Sequence, residues 1–134
     1  MTELSQIDEA GLERLVHAFY ARVREDTQLG PIFNRAIADW PEHLAKLHAF
    51  WSSVMLTSGR YKGQPVPAHV KHRDHITPAL FDRWLALWGK TARELMTSEA
   101  AAELEAKAAR IAESLQLAMF FRLDPQRATP SRAR

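Results

Sequence analysis

Apolar positions recur along this chain at helical spacing in four long blocks, separated by polar, Gly- or Pro-bearing breaks. From Asp8 to Glu25, Leu12, Leu15, Val16, Phe19, Tyr20 and Val23 fall at i, i+3, i+4, i+7, i+8 and i+11, which is one face of a helix. Leu29-Gly30-Pro31 reads as its end, and Ile32-Phe33 as a short apolar turn. Asp39 then stands three residues ahead of Glu42, the pattern of a capping box. It predicts a second helix with the stripe His43, Leu47, Phe50, Trp51, Val54 and Met55. Residues 57–68 are rich in Gly and Pro and read as a loop, with a short helix expected from His69 to about His72. Thr77 followed by Pro78 is a cap with proline at the first helical position. It opens a third long helix that turns Leu80, Phe81, Trp84, Leu85, Trp88 and Leu95 inward. The fourth starts near Ser98 and carries Leu104, Ala108, Ile111, Leu115 and Met119. Strand-like alternation never persists and no internal repeat is visible, so the pattern predicts an all-α domain with a broken middle.

Composition narrows this picture. At 134 residues, 46% of them hydrophobic, the chain is one domain with enough apolar side chains for a real core. It has no cysteine, which excludes a disulfide framework, a thiolate zinc or iron–sulfur site, and thiol catalysis. The opening MTELSQIDEAGLERL lacks the charged-then-apolar order of a signal peptide, and no apolar run approaches the roughly 20 residues that span a bilayer. A soluble cytoplasmic protein with no membrane association is the expectation. The net charge of +2 is unevenly placed. Residues 122–134 hold Arg122, Arg127, Arg132 and Arg134 against Asp124, a balance of +3, which leaves residues 1–121 at −1. The basicity therefore belongs to a Pro-containing tail, expected to be disordered, and not to a folded face of the kind that binds nucleic acid.

Four side chains carry the candidate chemistry. His69 is delivered by the loop of Gly63, Pro65 and Pro67, just ahead of the third long helix. An imidazole on a short, rigid segment beside an apolar helix suits a single protein bond to a metal in an apolar slot. Taken alone, His69 also reads as an ordinary loop histidine, and the three-residue spacing of His69, His72 and His75 permits a zinc reading. Zinc sites of His and Asp, however, usually draw ligands from more than one element. Tyr20 and His43 shift the balance, since each places a polar tip within an otherwise apolar stripe. Trp84 adds an indole N–H, which can only donate. Two polar tips and one loop histidine converging on an apolar interior are what a gas-binding haem requires, and haem iron is the metal this arrangement favours.

In these residues and their order the chain resembles the truncated haemoglobins, and within them the third group. The likeness spans roughly residues 10–121 and rests on HAFYARV (17–23), LGPIFN (29–34), WPEHLAKLHAFW (40–51), GRYKGQPVPAH (59–69) and FDRWLALW (81–88), in that order and spacing. Only Gly59 precedes Tyr61, where the first two groups show paired glycines, which favours the third. The resemblance implies a globin-like, two-over-two helical sandwich around one haem b (iron protoporphyrin IX), with a truncated globin domain over residues 1–121 and a tail over 122–134. His69 matches the proximal iron ligand; Tyr20, His43 and Trp84 match the distal residues, with His43 at the pocket mouth. Phe33 matches the phenylalanine on the haem face, and Lys46 a cation near a propionate. Leu47, Phe50, Tyr61 and Phe81 join them as expected cofactor-binding residues.

The function this resemblance implies is that of a five-coordinate haem that reversibly binds oxygen, nitric oxide and carbon monoxide in a monomeric protein. A second reading is a haem enzyme, converting nitric oxide to nitrate or acting as a peroxidase. The chain has no GxGxxG after a strand, so such an enzyme depends on an external reductase. A haem-free helical interaction module is a third reading, and it leaves Tyr20, His43 and Trp84 with no common purpose. The sequence is compatible with carrier and enzyme alike.

Overall fold

In a computed structural model of the chain, residues 4–63, 69 and 75–120 are described. Within them α1 runs Glu9–Glu25, α2 Leu29–Ala36, α3 Trp40–Leu56, α4 Pro78–Leu95 and α5 Ser98–Phe120. Three of the starts are capped as their sequences require. Asp8 Oδ1 accepts from Gly11 N at 2.7 Å, Asp39 Oδ1 from Glu42 N at 3.1 Å, and Thr77 Oγ1 from Leu80 N at 3.3 Å. The Glu42 side chain turns instead toward Lys46, one turn on, at 3.8 Å. Thr57, in the left-handed region at φ 53°, ends α3. No strand occurs among the described residues; one parallel bridge ties Ser5 to Met96, with Ser5 N donating to Leu95 O and Thr97 N to Ser5 O.

One element differs from its expected form. Leu29-Gly30-Pro31 does not stop a helix but begins α2, and Ile32-Phe33 lies inside it. Pro31 occupies the first turn, where a missing N–H removes no intrahelical bond. The true break is Asp26, whose carboxylate accepts from the backbone N–H groups of Gln28 and Leu29. Gly30 lets α2 sit hard against α1, since a Cβ there would meet Arg24 O at 2.6 Å.

α1 is the central element, packing on α2, α3 and α4, while α4 and α5 form the most extensive pair. The core is Leu12, Leu15, Val16, Phe19 and Val23 from α1, closed by Trp51, Trp88, Ala92, Leu104 and Ala108. At about 25 cal/mol per Å² of apolar surface, each of these large side chains contributes roughly 1.5–3 kcal/mol on burial. Arg22 clamps α1 to α4 by donating to Thr91 Oγ1 at 2.9 Å and pairing with Glu94. A second cluster gathers Phe81, Ala112, Leu115 and Met119 between α4 and α5.

α3 is the exception to this closure. It buries only Trp40, Trp51 and Ser52 fully, although its stripe is strongly apolar. Leu44, Leu47, Phe50 and Val54 are half-buried against the edge of the core. α3 packs on α1 and touches α4 through Trp51, stacked on Trp88 at 4.5 Å. The rest of the expected short helix after His69, most of the segment joining Tyr61 to it, and the 122–134 tail lie outside the described residues.

Candidate functional site

Tyr20 lies on the α1 face that meets α4, fully inside the core. Burial pushes its pKa above the ordinary tyrosine range, and the Trp84 indole N–H, directed toward the phenolic oxygen, pulls it partly back. Phe19 and Phe33 hold the ring at centroid distances of 4.7 and 5.8 Å. An indole only donates and a phenol does both, so the Tyr20 oxygen is engaged while its own O–H proton remains the group it can offer. Two expected residues, Tyr20 and Trp84, are thus joined directly, with Phe33 beside them.

His43 reaches this cluster at one remove. Its ring stands edge-on to Trp40 at 5.9 Å, and Trp40 in turn lies 6.2 Å from Tyr20. Trp40 is held by two side chains and is nearly buried. Its Nε1 donates to Asn34 Oδ1 at 3.2 Å, the Arg24 guanidinium covers its face at 4.7 Å, and the residue is 8% exposed. Burial lowers the His43 pKa from the ordinary imidazole value, and the positive charges of Lys46 and His69 lower it further. His69 is half-buried, and its charge bearing on His43 places the two imidazoles in one electrostatic neighbourhood. Trp40 is a residue that the sequence patterns did not single out; its signal was a tryptophan at a helix start one turn ahead of a histidine.

The remaining expected residues divide. Leu47 and Phe50 lie along the half-buried stripe of α3, and Tyr61 packs edge-on to Phe50 at 5.3 Å. Tyr61 N also donates to Ser53 Oγ at 2.8 Å, which fixes the chain leaving α3. Ser52 and Glu9 reinforce this corner. Glu9 takes Ser52 Oγ at 2.7 Å and His48 Nε2 at 2.9 Å, and pairs with Arg60 at 3.5 Å; the Ser52 bond is the largest cause of its lowered pKa. Lys46 is exposed, extended along α3 toward Glu42. Phe81 stands apart from Tyr20, in the second cluster with Leu115 and Met119. His75 is exposed, and His72, which the zinc reading needs, lies outside the described residues.

Buried Tyr20 with Trp84 beside it, His43 at the margin, His69 within electrostatic reach of His43, and the half-buried apolar stripe of α3 thus lie on neighbouring parts of the fold. Side chains of these kinds suit a flat, largely apolar group that coordinates through an imidazole, with hydrogen-bond donors for whatever binds on its other side.

No family model matches the chain. It is 38% identical over 86 residues, 61% of its own length and 67% of the relative's, to a group 3 truncated hemoglobin of Campylobacter jejuni. Its fold superposes on the crystal structure of the group III truncated hemoglobin from Campylobacter jejuni with a TM-score of 0.79 at 33% identity, covering 90% of this chain and 96% of that one.

Proposed function

The chain belongs to the group III truncated haemoglobins, an all-helical haem-globin family, and from this we propose that it holds a b-type haem through His69 and reversibly binds oxygen and related diatomic gases. The observation that carries the proposal is Tyr20, buried in the core with Trp84 beside its phenolic oxygen, so that its own proton is left to offer.

The side chains suit the group. The half-buried apolar stripe of α3, Leu44, Leu47, Phe50 and Val54, suits the flat hydrocarbon face of a porphyrin, as does Phe33 from α2. His69 supplies the imidazole, and Lys46 a cation for a propionate. When bound, the haem iron offers the coordination position for the diatomic ligand and pushes electron density onto dioxygen far more than onto carbon monoxide. Everything else is the work of this chain. The Tyr20 O–H donates to the ligand; the Trp84 N–H, directed toward the Tyr20 oxygen, favours the orientation in which that proton points away from it. Burial keeps the phenol protonated at any physiological pH, so the donor is always present. His43, backed by Trp40, stands at the margin and acts on ligand access.

The test is the visible spectrum of the purified protein, wild type and His69→Ala. The wild type should show a haem band and bind oxygen and carbon monoxide reversibly. His69→Ala should lose most haem or its axial imidazole, while His72→Ala and His75→Ala leave the spectrum nearly unchanged. A spectrum abolished by His72→Ala would move the ligand by one helical turn and overturn the assignment.

A further inference from the structure

Three of the four tryptophans and both tyrosines of this chain fall on one continuous aromatic path. It begins where Trp84 meets Tyr20. Trp84 and Trp88 lie parallel, with ring centroids 5.9 Å apart and planes 4° from coplanar. Trp88 then stacks on Trp51 at 4.5 Å and 18°. Beyond Trp51 the rings turn edge-on through Phe50 at 5.6 Å to Tyr61 at 5.3 Å. Core burial alone asks only that these rings fill volume, and edge-on contacts serve that as well as stacked ones. Two successive parallel indole contacts, ending at a tyrosine on the surface loop, form a route along which one-electron vacancies can move. Electronic coupling falls exponentially with the gap between rings, so the stacked indoles pass a vacancy quickly, and Phe50 bridges the longer last step from Trp51 to Tyr61.

We propose that Trp84, Trp88, Trp51 and Tyr61 conduct oxidising equivalents from the pocket to the surface, so that hydrogen peroxide reduced inside is matched by oxidation of a small anionic donor outside. The proposal rests on the haem reading of the site, because the haem pocket is where peroxide would be reduced. The chain contains no cysteine, so indole and phenol rings are its main candidates for holding such an equivalent.

Direction comes from where protons can go. Trp88 is fully buried and its Nε1–H is bonded to Leu104 O, a carbonyl that cannot take the proton away. An oxidised Trp88 therefore stays a radical cation, a strong oxidant that passes its vacancy on. Tyr20 must shed its proton to be oxidised, and full burial opposes that, which makes it a poor sink despite its place beside Trp84. Tyr61 is only half-buried, and its hydroxyl lies over exposed Gly63, where a Cβ would come within 2.6 Å of it. Burial raises its pKa too, but the phenol is less enclosed than that of Tyr20, and beside exposed Gly63 it has the shorter path for its proton and can rest as a neutral radical. Exposed Lys62 beside it favours an anionic donor such as ascorbate.

The balance closes without a further reactant. One hydrogen peroxide takes up two electrons and two protons to give two waters. Each electron enters the pocket from Trp84, is replaced in turn from Trp88, Trp51 and Tyr61, and finally comes from one ascorbate, which returns the electron and proton lost by Tyr61. Two ascorbates leave as two ascorbyl radicals.

The experiment treats the ferric, haem-loaded protein with hydrogen peroxide, freezes it for electron paramagnetic resonance, and maps modified residues by peptide mass spectrometry. Wild type should give a phenoxyl signal, with covalent modification concentrated on Tyr61. In Trp51→Phe the signal should become indole-type, Tyr61 should lose its modification, and the haem should bleach several-fold faster. Should Trp51→Phe fold poorly, Tyr61→Phe at the half-exposed end gives the same reading: the phenoxyl signal is lost, the indole signal persists, and peroxide-driven ascorbate oxidation falls. An intact haem band with no mark on Tyr61, or equal marking of Tyr61 in Trp51→Phe, would overturn the relay. Absence of a haem band in the wild type would remove the haem reading itself, and the relay with it.

Discussion

At the scale of single residues, the proposed function makes Tyr20 and the Trp84 indole beside its oxygen act as one unit. A donor to bound dioxygen is worth on the order of 1.5–3 kcal/mol when charge assists it. Tyr20→Phe removes that donor, and Trp84→Phe removes what aims it. Each should quicken oxygen release by roughly tenfold or more, since 1.4 kcal/mol is a factor of ten. Carbon monoxide release should change much less, and the double variant should fall short of the sum of the single effects because both touch one hydrogen bond. Stopped-flow release of both gases checks this; equal changes for the two would mean the pair acts by steric fit. His43 touches Trp40 rather than Tyr20. His43→Ala should therefore alter association rates more than release rates, and flash photolysis of the carbon monoxide complex reads that difference.

At the scale of elements, Asp26 does more than end α1. Arg83 of α4 grips its carboxylate with two bonds of 2.7 and 2.9 Å, while Gln28 N and Leu29 N donate to it at the head of α2. The Arg83 bond comes first among the causes that hold its pKa at about 2, below the ordinary 3.8. A carboxylate with a depressed folded pKa adds stability above its unfolded value, and that stability is lost as pH falls from about 4 to about 2. Asp26→Asn should cost on the order of 1 kcal/mol at neutral pH, because the amide oxygen keeps part of the cap and the pair is partly solvated. It should also flatten the acid limb between those values. Urea midpoints at pH 6, 4 and 2.5 would show it; a parallel offset at every pH would mean that the charge of Asp26 contributes nothing.

For the whole molecule, α3 is the element whose burial the chain leaves incomplete. A group that binds only the folded state stabilises it by mass action, about 4 kcal/mol when free ligand is a thousandfold above its dissociation constant. In a domain of this size that raises Tm by on the order of 10 °C. Haem-loaded protein should melt higher than apoprotein by about that much, measured by circular dichroism at 222 nm. Equal melting temperatures would contradict the assignment of Leu47 and Phe50 to a haem-binding wall.

The sequence by itself determined the helices, because their information is local. Apolar spacing, the caps at Asp8, Asp39 and Thr77, and Pro78 at the first position each act within one turn, and all four long helices lie where these signals put them. It misread α2, because Pro31 after Gly30 signals a break unless the preceding turn is capped from outside, and that cap depends on Asp26. Membership of the third group was legible from motif order, and it named Tyr20, His43 and Trp84 together. Only the tertiary structure decided how they relate. Tyr20 and Trp84 are 64 positions apart in the chain and lie side by side, His43 is held off by a tryptophan that no spacing rule singles out, and Phe81 turns away into a second cluster. The stacking of Trp84, Trp88 and Trp51 is of the same kind. Periodicity puts a residue on a face, but the crossing of two helices sets which faces meet and at what angle.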